Sequence, residues 1–325
     1  MSGNGGGAGT SLAVRIAGKR RLTSRITEFD LRATEEPLPR FTAGAHINVR
    51  NPAGEVRSYS LCNAPSERHR YVIAVAREEE GRGGSKGLTD ETECGDSLWI
   101  SPPRNDFELR PALRYLLIAG GVGITPLKAM YHQLTAQAGE REPAGVRLLY
   151  LSRSEADAAY LSELAGAEGV VLHHSGQGRG RLDLWPYLAE PDEDTRIYCC
   201  GPPSLIADVR ALTMHWRPSL IRFENFAGVA GTDGTSTDFT AVWHPTGERI
   251  PVPATETLLG ALRAAGIEVA SSCSAGTCGT CKLRVHEGFA EHRDLVLSER
   301  ERRNHLMPCV SRAASETIVV GPRGR

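Results

Sequence analysis

The rhythm of hydrophobic positions changes twice along the chain. From about Leu12 to Asp106, apolar and polar residues alternate over short runs such as Leu12-Ala13-Val14-Arg15-Ile16 and His46-Ile47-Asn48-Val49, with Gly and Pro between them. Alternation predicts strands with one buried face, and many short strands at regular spacing predict a small antiparallel β-barrel. Tyr71-Val72-Ile73-Ala74-Val75-Ala76 and Ser97-Leu98-Trp99-Ile100 read as further strands of this set. From about Leu113 to Phe223 the pattern becomes α/β. Continuous apolar runs, Tyr115-Leu116-Leu117-Ile118-Ala119 first among them, read as buried strands, and 3.6-residue spacing through Leu127, Met130, Tyr131 and Leu134 reads as a helix. Further strands are expected at Val146–Leu151, near Gly169–Leu172 and at Arg196–Cys200, with a helix from Ser204. Strand, helix, strand in this order predicts a doubly wound sheet with ligands at the strand C-termini.

After Phe223 comes a polar, small-residue stretch, Gly231-Thr232-Asp233-Gly234-Thr235-Ser236-Thr237, which reads as a linker. The last segment returns to short strands, with a hairpin across His244-Pro245-Thr246-Gly247 and a closing strand at Ile318-Val319-Val320. Thr255 is the expected cap of a helix carrying Leu258, Leu259 and Leu262, and Gly266 stands just past its end. Ser298 and Glu301 have capping-box spacing for a second short helix, on which Arg300, Arg302 and Arg303 read as a solvated face.

With 325 residues the chain is too long for one ordinary core, so two or three domains are expected. A formal net charge of −1 gives no reason to expect a nucleic-acid or membrane partner. The longest apolar run is too short to span a bilayer. The glycine-rich start has neither a basic nor an apolar segment, so residues 1–11 read as a disordered tail rather than a secretory signal. Of eight cysteines, Cys62, Cys94, Cys199 and Cys200 show no disulfide-framework spacing. Reduced thiols fit a cytoplasmic protein.

The remaining four cysteines carry the chemistry. Cys273, Cys278 and Cys281 fall in a C-x4-C-x2-C run, and Cys309 follows on a later segment. That is plant-type [2Fe–2S] spacing. Four thiolates must converge on the irons, and Ser274, Ala275, Gly276, Gly279 and Thr280 are small enough to let the backbone wrap the cluster closely. Structural zinc also takes four thiolates, but it usually pairs two short knuckles, and Cys309 has no neighbouring cysteine.

Upstream, Arg57-Ser58-Tyr59-Ser60 offers a cation, a flat aromatic face and hydroxyls, and Arg82-Gly83-Gly84-Ser85 opens a short helix as a phosphate cradle would. Each alone is also what an exposed strand face or a hairpin loop looks like. Gly120-Gly121-Val122-Gly123-Ile124-Thr125-Pro126 follows the first α/β strand. It is not the G-x-G-x-x-G fingerprint, yet its glycines allow a pyrophosphate to approach the backbone, and Pro126 suits a first helical position. Ser152-Arg153-Ser154-Glu155 at the end of the second strand holds both an Arg, which could take a 2′-phosphate, and an acid, which favours a free ribose hydroxyl. His173 and His174, adjacent on a strand, point to opposite faces and read as structural.

Together, Arg57-x-Tyr59-Ser60, the glycine loop at 81–85, the 120–126 turn, Cys200-Gly201-Pro202 and the cysteine-bearing C-terminal segment resemble the phthalate dioxygenase reductase family. These are the reductases of two-component aromatic-ring dioxygenases and demethylases. The resemblance covers nearly all of the chain after the glycine tail. It implies an FMN-binding β-barrel at 12–110, an NAD-binding α/β domain at 111–226, a linker at 227–237 and a β-grasp-like α+β plant-type ferredoxin domain at 238–325. For FMN it implies Arg57, Ser58, Tyr59 and Ser60, the backbone of Ala74, Val75 and Ala76, and Arg82, Gly83, Gly84 and Ser85 at the phosphate. It places Cys200 with Gly201 and Pro202 beside the nicotinamide, Thr125 near both rings and Phe226 against the flavin. It implies NADH as the reductant. The nucleotide set is then Gly120, Gly121, Gly123, Thr125, Pro126, Ser152, Arg153, Cys200, Gly201 and Pro202, and the metal set is Cys273, Cys278, Cys281 and Cys309. Cys199, by alternation, points away from the site. No side-chain acid or nucleophile is required. The expectation is a monomeric NADH-dependent reductase feeding a Rieske-type terminal oxygenase. A diiron or haem oxygenase partner, and a redox sensor or carrier without turnover, are the alternatives.

Overall fold

The computed structural model describes residues 11–323, except 35–36, 80–83, 138–144, 177, 227–235, 255, 272–275, 277–278 and 295. The expected tail thus lies almost wholly outside the described residues. The chain divides into two compact units, Met1–Glu224 and Asn225–Arg325.

The first unit has two lobes. In its first lobe, β1 (Leu12–Arg21), β2 (Ile26–Ala33), β3 (His46–Arg50), β4 (Val56–Ser60), β5 (Tyr71–Ala76) and β6 (Ser97–Ile100) form an antiparallel sheet in the order β4-β3-β6-β1-β2-β5. A bridge between Leu61 and Ile73, and a bond from Cys62 N–H to the Val72 carbonyl at 2.8 Å, join the two edges into a barrel. Alternate residues fill it: Val14, Ile16, Phe29, Leu31, Ile47 and Ile73 are essentially solvent-free. β5 departs from alternation for a physical reason. Tyr71, Ile73 and Val75 face the barrel core, while Val72 and Ala74 join the core of the second lobe. A strand buried on both faces reads as a continuous apolar run. The helix α1 (Gly84–Asp90) lies between β5 and β6 in the chain.

The second lobe is a five-stranded parallel sheet. Its elements are β7 (Arg114–Gly120), α2 (Ile124–Gln137), β8 (Gly145–Ser152), α3 (Leu161–Leu164), β9 (Val170–His174), α4 (Trp185–Leu188), β10 (Thr195–Cys200), α5 (Pro203–Leu212) and β11 (Ile221–Glu224), with strand order β11-β10-β7-β8-β9. α2 packs in one core layer with Leu117, Ala119 and Cys200, and α5 packs in the other with Leu116, Ile118 and Cys199. This is the double winding expected, and it sets Cys199 and Cys200 on opposite faces. Pro126 is the third residue of α2 rather than the first, because a 3-10 turn at Gly121–Gly123 leads straight into Ile124. It is still within the first turn, where a missing N–H breaks no helix bond.

The second unit is a mixed sheet of β12 (Phe239–Trp243), β13 (Glu248–Val252), β14 (Leu283–Glu287), β16 (His305–Leu306) and β18 (Thr317–Gly321), in the order β13-β12-β18-β14-β16. β12 and β18 run parallel and the other pairs antiparallel. A small ribbon of β15 (Ala290–Glu291) and β17 (Arg312–Ala313) and the helices α6 (Leu258–Ala264) and α7 (Glu299–Arg302) complete it. Thr257, not Thr255, caps α6, its hydroxyl accepting the Gly260 N–H at 3.0 Å. Thr255 lies outside the described residues. The Ser298–Glu301 capping box on α7 is formed as read. Arg302 corrects the reading of a solvated arginine face: it donates to the Asp294 carbonyl at 2.8 Å, beside a carboxylate buried from solvent. None of the helices among the described residues is long and apolar enough to cross a membrane.

Candidate functional site

The sheet order of the second lobe reverses between β7 and β10, and a crevice at the C-terminal ends of such strands is where nucleotides bind. Here the two turns that leave those strands are packed backbone to backbone. A Cβ on Gly120 would stand 2.7 Å from Pro202 Cδ, one on Gly201 would stand 3.0 Å from Gly120 Cα, and one on Gly123 would run into the Cys200 carbonyl and lie 2.7 Å from Gly201 N. At Gly123 a side chain would collide with backbone, and at Gly120 and Gly201 its neighbours would have to shift. Gly121 takes a left-handed φ of +54° in open space. The turn therefore presents bare backbone at the mouth of α2, which suits a pyrophosphate.

The same turn, residues 121–123, lies beside β5 of the barrel. The structure thus brings the 121–123 turn next to the strand that carries Ala74, Val75 and Ala76. Thr125, buried, donates its hydroxyl to the Val122 carbonyl at 3.0 Å and so stiffens this junction. Cys200 has no exposed surface. Burial pushes its thiol well above the ordinary thiol range, and the nearby Glu224 charge adds to this. It is a neutral thiol in the core and not a thiolate. Ser152 and Arg153 stand at the same sheet edge, at the end of β8. The Ser152 hydroxyl is committed to the Ser154 carbonyl at 2.8 Å and to His174 Nδ1 at 2.6 Å, while Arg153 and Glu155 are both exposed. His173 bonds the Gly180 carbonyl at 2.9 Å. Both histidines thus have structural partners.

On the barrel, Arg57 and Tyr59 share one face of β4 and Ser58 and Ser60 the other. A Cβ on Gly84, the first residue of α1, would stand 2.7 Å from Arg57 Nε. The start of α1 is therefore laid on the Arg57 side chain. Arg57 is also held by Glu55 at 3.0 Å. Burial raises Tyr59 to about 12, Arg57 lowering and Glu55 raising it, so its hydroxyl is a proton donor at any working pH. The Ser58 hydroxyl donates to Asn48 at 2.6 Å, and Ser85 accepts the Glu78 N–H at 3.0 Å. Arg82 and Gly83 lie outside the described residues. Sequence reading missed Asn51. It is buried, accepts the Glu55 N–H at 2.8 Å and donates to the Gly84 carbonyl at 3.3 Å, which ties β4 to α1. Asn51-Pro52-Ala53-Gly54 is legible as a turn, but the reach of its side chain to residue 84 is not.

In the second unit, Cys281 and Cys309 are both buried, at 2% and 5% exposure. Cys273 and Cys278 lie outside the described residues. Gly276 and Gly279 take left-handed φ values of +71° and +78°, and a Cβ on Gly276 would press on Val310 Cγ2 at 2.5 Å and Asp294 Cα at 3.2 Å. Gly276 is thus seated against the segment that carries Cys309, and two buried thiols beside left-handed glycines fit an iron–sulfur cluster. Asp294, another residue sequence reading missed, braces this seat: its carboxylate accepts the Leu297 N–H at 2.9 Å and lies 3.4 Å from Ser311 Oγ. Phe226 stands at the start of the second unit and is 40% exposed.

Comparison with known proteins adds the following. A family model described as an oxidoreductase NAD-binding domain matches residues 117–211, and one described as a 2Fe-2S iron-sulfur cluster binding domain matches residues 241–314. The chain is 40% identical over 313 residues to a phthalate 4,5-dioxygenase oxygenase reductase subunit from Pseudomonas putida, covering 94% of this chain and 95% of that one. It is 38% identical over 314 residues to a heme-dependent oxidative N-demethylase beta subunit from Ectopseudomonas mendocina, covering 96% and 99%. Among solved structures, a phthalate dioxygenase reductase, described as modular for electron transfer from pyridine nucleotides to [2Fe-2S], superposes with a TM-score of 0.80 at 40% identity, covering 96% of this chain and 98% of that one.

Proposed function

The chain belongs to the phthalate dioxygenase reductase family, and on that footing we propose that it is an NADH-dependent reductase passing electrons through FMN and a [2Fe–2S] cluster to a separate terminal oxygenase. NADH gives up electrons as a pair and a [2Fe–2S] cluster takes them singly; flavin, when bound, supplies the chemistry that joins the two. The protein's part is geometric. The observation that carries the reading is the 121–123 turn, enclosed between the Cys200–Gly201 backbone and β5.

Each residue has a place in it. Gly120, Gly121 and Gly123, with Thr125 and Pro126 in the first turn of α2, receive the pyrophosphate and the nicotinamide end. Cys200, Gly201 and Pro202 form the opposite wall. Ser152 and Arg153 stand where the adenosine ribose would lie. Glu155 beside Arg153 is compatible with a free 2′-hydroxyl, and NADH is the reductant proposed. Arg57, Ser58, Tyr59 and Ser60, the β5 backbone and the 82–85 loop hold FMN, with Phe226 as the aromatic against its ring. Cys273, Cys278, Cys281 and Cys309 hold the cluster. The free thiols elsewhere, buried at Cys62, Cys199 and Cys200 and exposed at Cys94, fit a cytoplasmic setting.

The proposed partner is a Rieske-type oxygenase acting on aromatic compounds. A haem oxygenase is the second reading. It is supported by the relative from Ectopseudomonas mendocina and by a self-sufficient cytochrome P450 monooxygenase, 36% identical over 95% of this chain with a TM-score of 0.75, of which this chain covers 41%. The test is reduction of an artificial one-electron acceptor by NADH. Activity is expected with the flavin bound and should vanish when FMN is stripped; equal activity without FMN contradicts the proposal.

A further inference from the structure

The barrel and the nucleotide lobe share one core, and α2 is the element wedged between them. Met130 Cε reaches to within 2.9 Å of where a Gly44 Cβ would be, and Gln133 accepts the Ala43 N–H at 3.3 Å. α2 also carries a buried cation, paired within its own lobe and bonded across to the barrel. The side chain of Lys128 is 9% exposed. Its Nζ donates to the Cys62 carbonyl at 3.4 Å, pairs with Glu163 Oε1 at 3.0 Å and lies 4.6 Å from the centre of the Tyr160 ring. Cys62 is two residues beyond Ser60, where β4 ends, and Lys128 is four residues beyond Ile124, where α2 begins.

The surroundings of this cation are held firmly. Glu163 also bonds His132 Nε2 at 2.7 Å. Burial pushes the Glu163 carboxyl up, but the His132 bond and the Lys128 charge outweigh it and hold the group at about 2, so it stays a carboxylate. Tyr160 takes a left-handed φ of 61°, the one non-glycine among the described residues to do so. A bulky residue keeps that conformation only where its surroundings over-determine it, and here it sets the ring beneath the ammonium.

We propose that Lys128 is a positioning residue that locks the nicotinamide-side turn to the flavin-side strand and so sets the approach of the two rings. The inference rests on the reductase reading above. An apolar side chain would fill the same space but would tolerate sliding of α2 against the barrel. A buried ammonium is satisfied in one arrangement only, which is the use such pairs have where they fix geometry rather than add stability. Hydride transfer depends steeply on that geometry: a misplacement of about 1 Å can cost roughly 100-fold in rate.

The test compares the wild-type holoenzyme with Lys128→Met, Lys128→Arg and Glu163→Gln. Three quantities are read: FMN content, the rate of flavin bleaching after anaerobic mixing with NADH, and the long-wavelength absorbance of nicotinamide stacked on flavin. Lys128→Met is expected to keep its FMN and to bleach about 10- to 100-fold more slowly with a diminished stacking absorbance, while KM for NADH moves less than about 3-fold. Lys128→Arg should restore the rate to within about 3-fold. Wild-type rate and stacking absorbance in Lys128→Met overturn the proposal. So does a parallel loss of FMN, KM and rate that Lys128→Arg does not repair, since that is a purely structural role. Should Lys128→Met not fold, Glu163→Gln decides: slower bleaching at unchanged KM supports the lock, and wild-type bleaching overturns it. A wild-type protein that NADH does not bleach contradicts the reductase reading itself.

Discussion

Burial keeps three thiols of the first unit protonated. Desolvation pushes Cys62 and Cys199 up to about 12, the nearby Lys128 and Arg210 charges opposing it, and drives Cys200 well above the ordinary thiol range. Cys94, by contrast, is exposed. Since the thiolate is the nucleophile, iodoacetamide at about pH 8 should label Cys94 well before Cys62, Cys199 or Cys200. Peptide mapping that finds Cys200 labelled as fast would contradict this burial. A second residue-scale expectation concerns pH. Hydrogen bonds from Lys282 and from both the backbone and side chain of Ser298 lower Glu301 from 4.5 to about 2. A carboxyl depressed on folding stabilises the fold above its unfolded pKa and loses that contribution as pH falls toward the folded one. The Tm difference between wild type and Glu301→Gln should therefore be constant from about pH 8 to 5 and shrink below about 4.5. A difference that grows on acidification contradicts the assignment. The capping partner of Glu301 was legible in sequence because it lies three residues away. The roles of Asn51, Lys128 and Asp294 were not, because their partners arrive from distant strands and helices.

Among elements, the paired turns after β7 and β10 make the firmest demand. Gly123→Ala would drive a methyl into the Cys200 carbonyl and toward Gly201 N, both backbone, so the turns must part. Overpacking of this kind costs about 1–3 kcal/mol. We expect a fall of at least about 10-fold in kcat/KM for NADH, with iron content unchanged because the cluster loop belongs to the other unit. Wild-type kcat/KM would show that this turn does not carry the nucleotide. The glycines were visible in sequence; the reason they are needed, the approach of two turns 80 residues apart in number, was not. The same limit explains the cap at Thr257, since two threonines two residues apart offer the same chemistry and only the path of the chain selects one. It also explains β11, four residues whose strand character comes from pairing with β10.

At the scale of the whole molecule, the three larger sheets, of different kinds, follow from three hydrophobic rhythms, and that much was legible from pattern alone. The exception in the barrel, β5, looked like any buried strand until the second lobe supplied its other face. That double burial is what puts β5 beside the 121–123 turn. The account's central claim is that electrons given up by NADH reach an iron–sulfur centre within this one chain. Anaerobic titration of the purified protein with NADH, followed by visible absorbance, tests it most directly. The account predicts that flavin and cluster absorbance both bleach without any added carrier. A protein that carries no iron or flavin, or one whose cluster stays oxidised while NADH reduces the flavin, would contradict it.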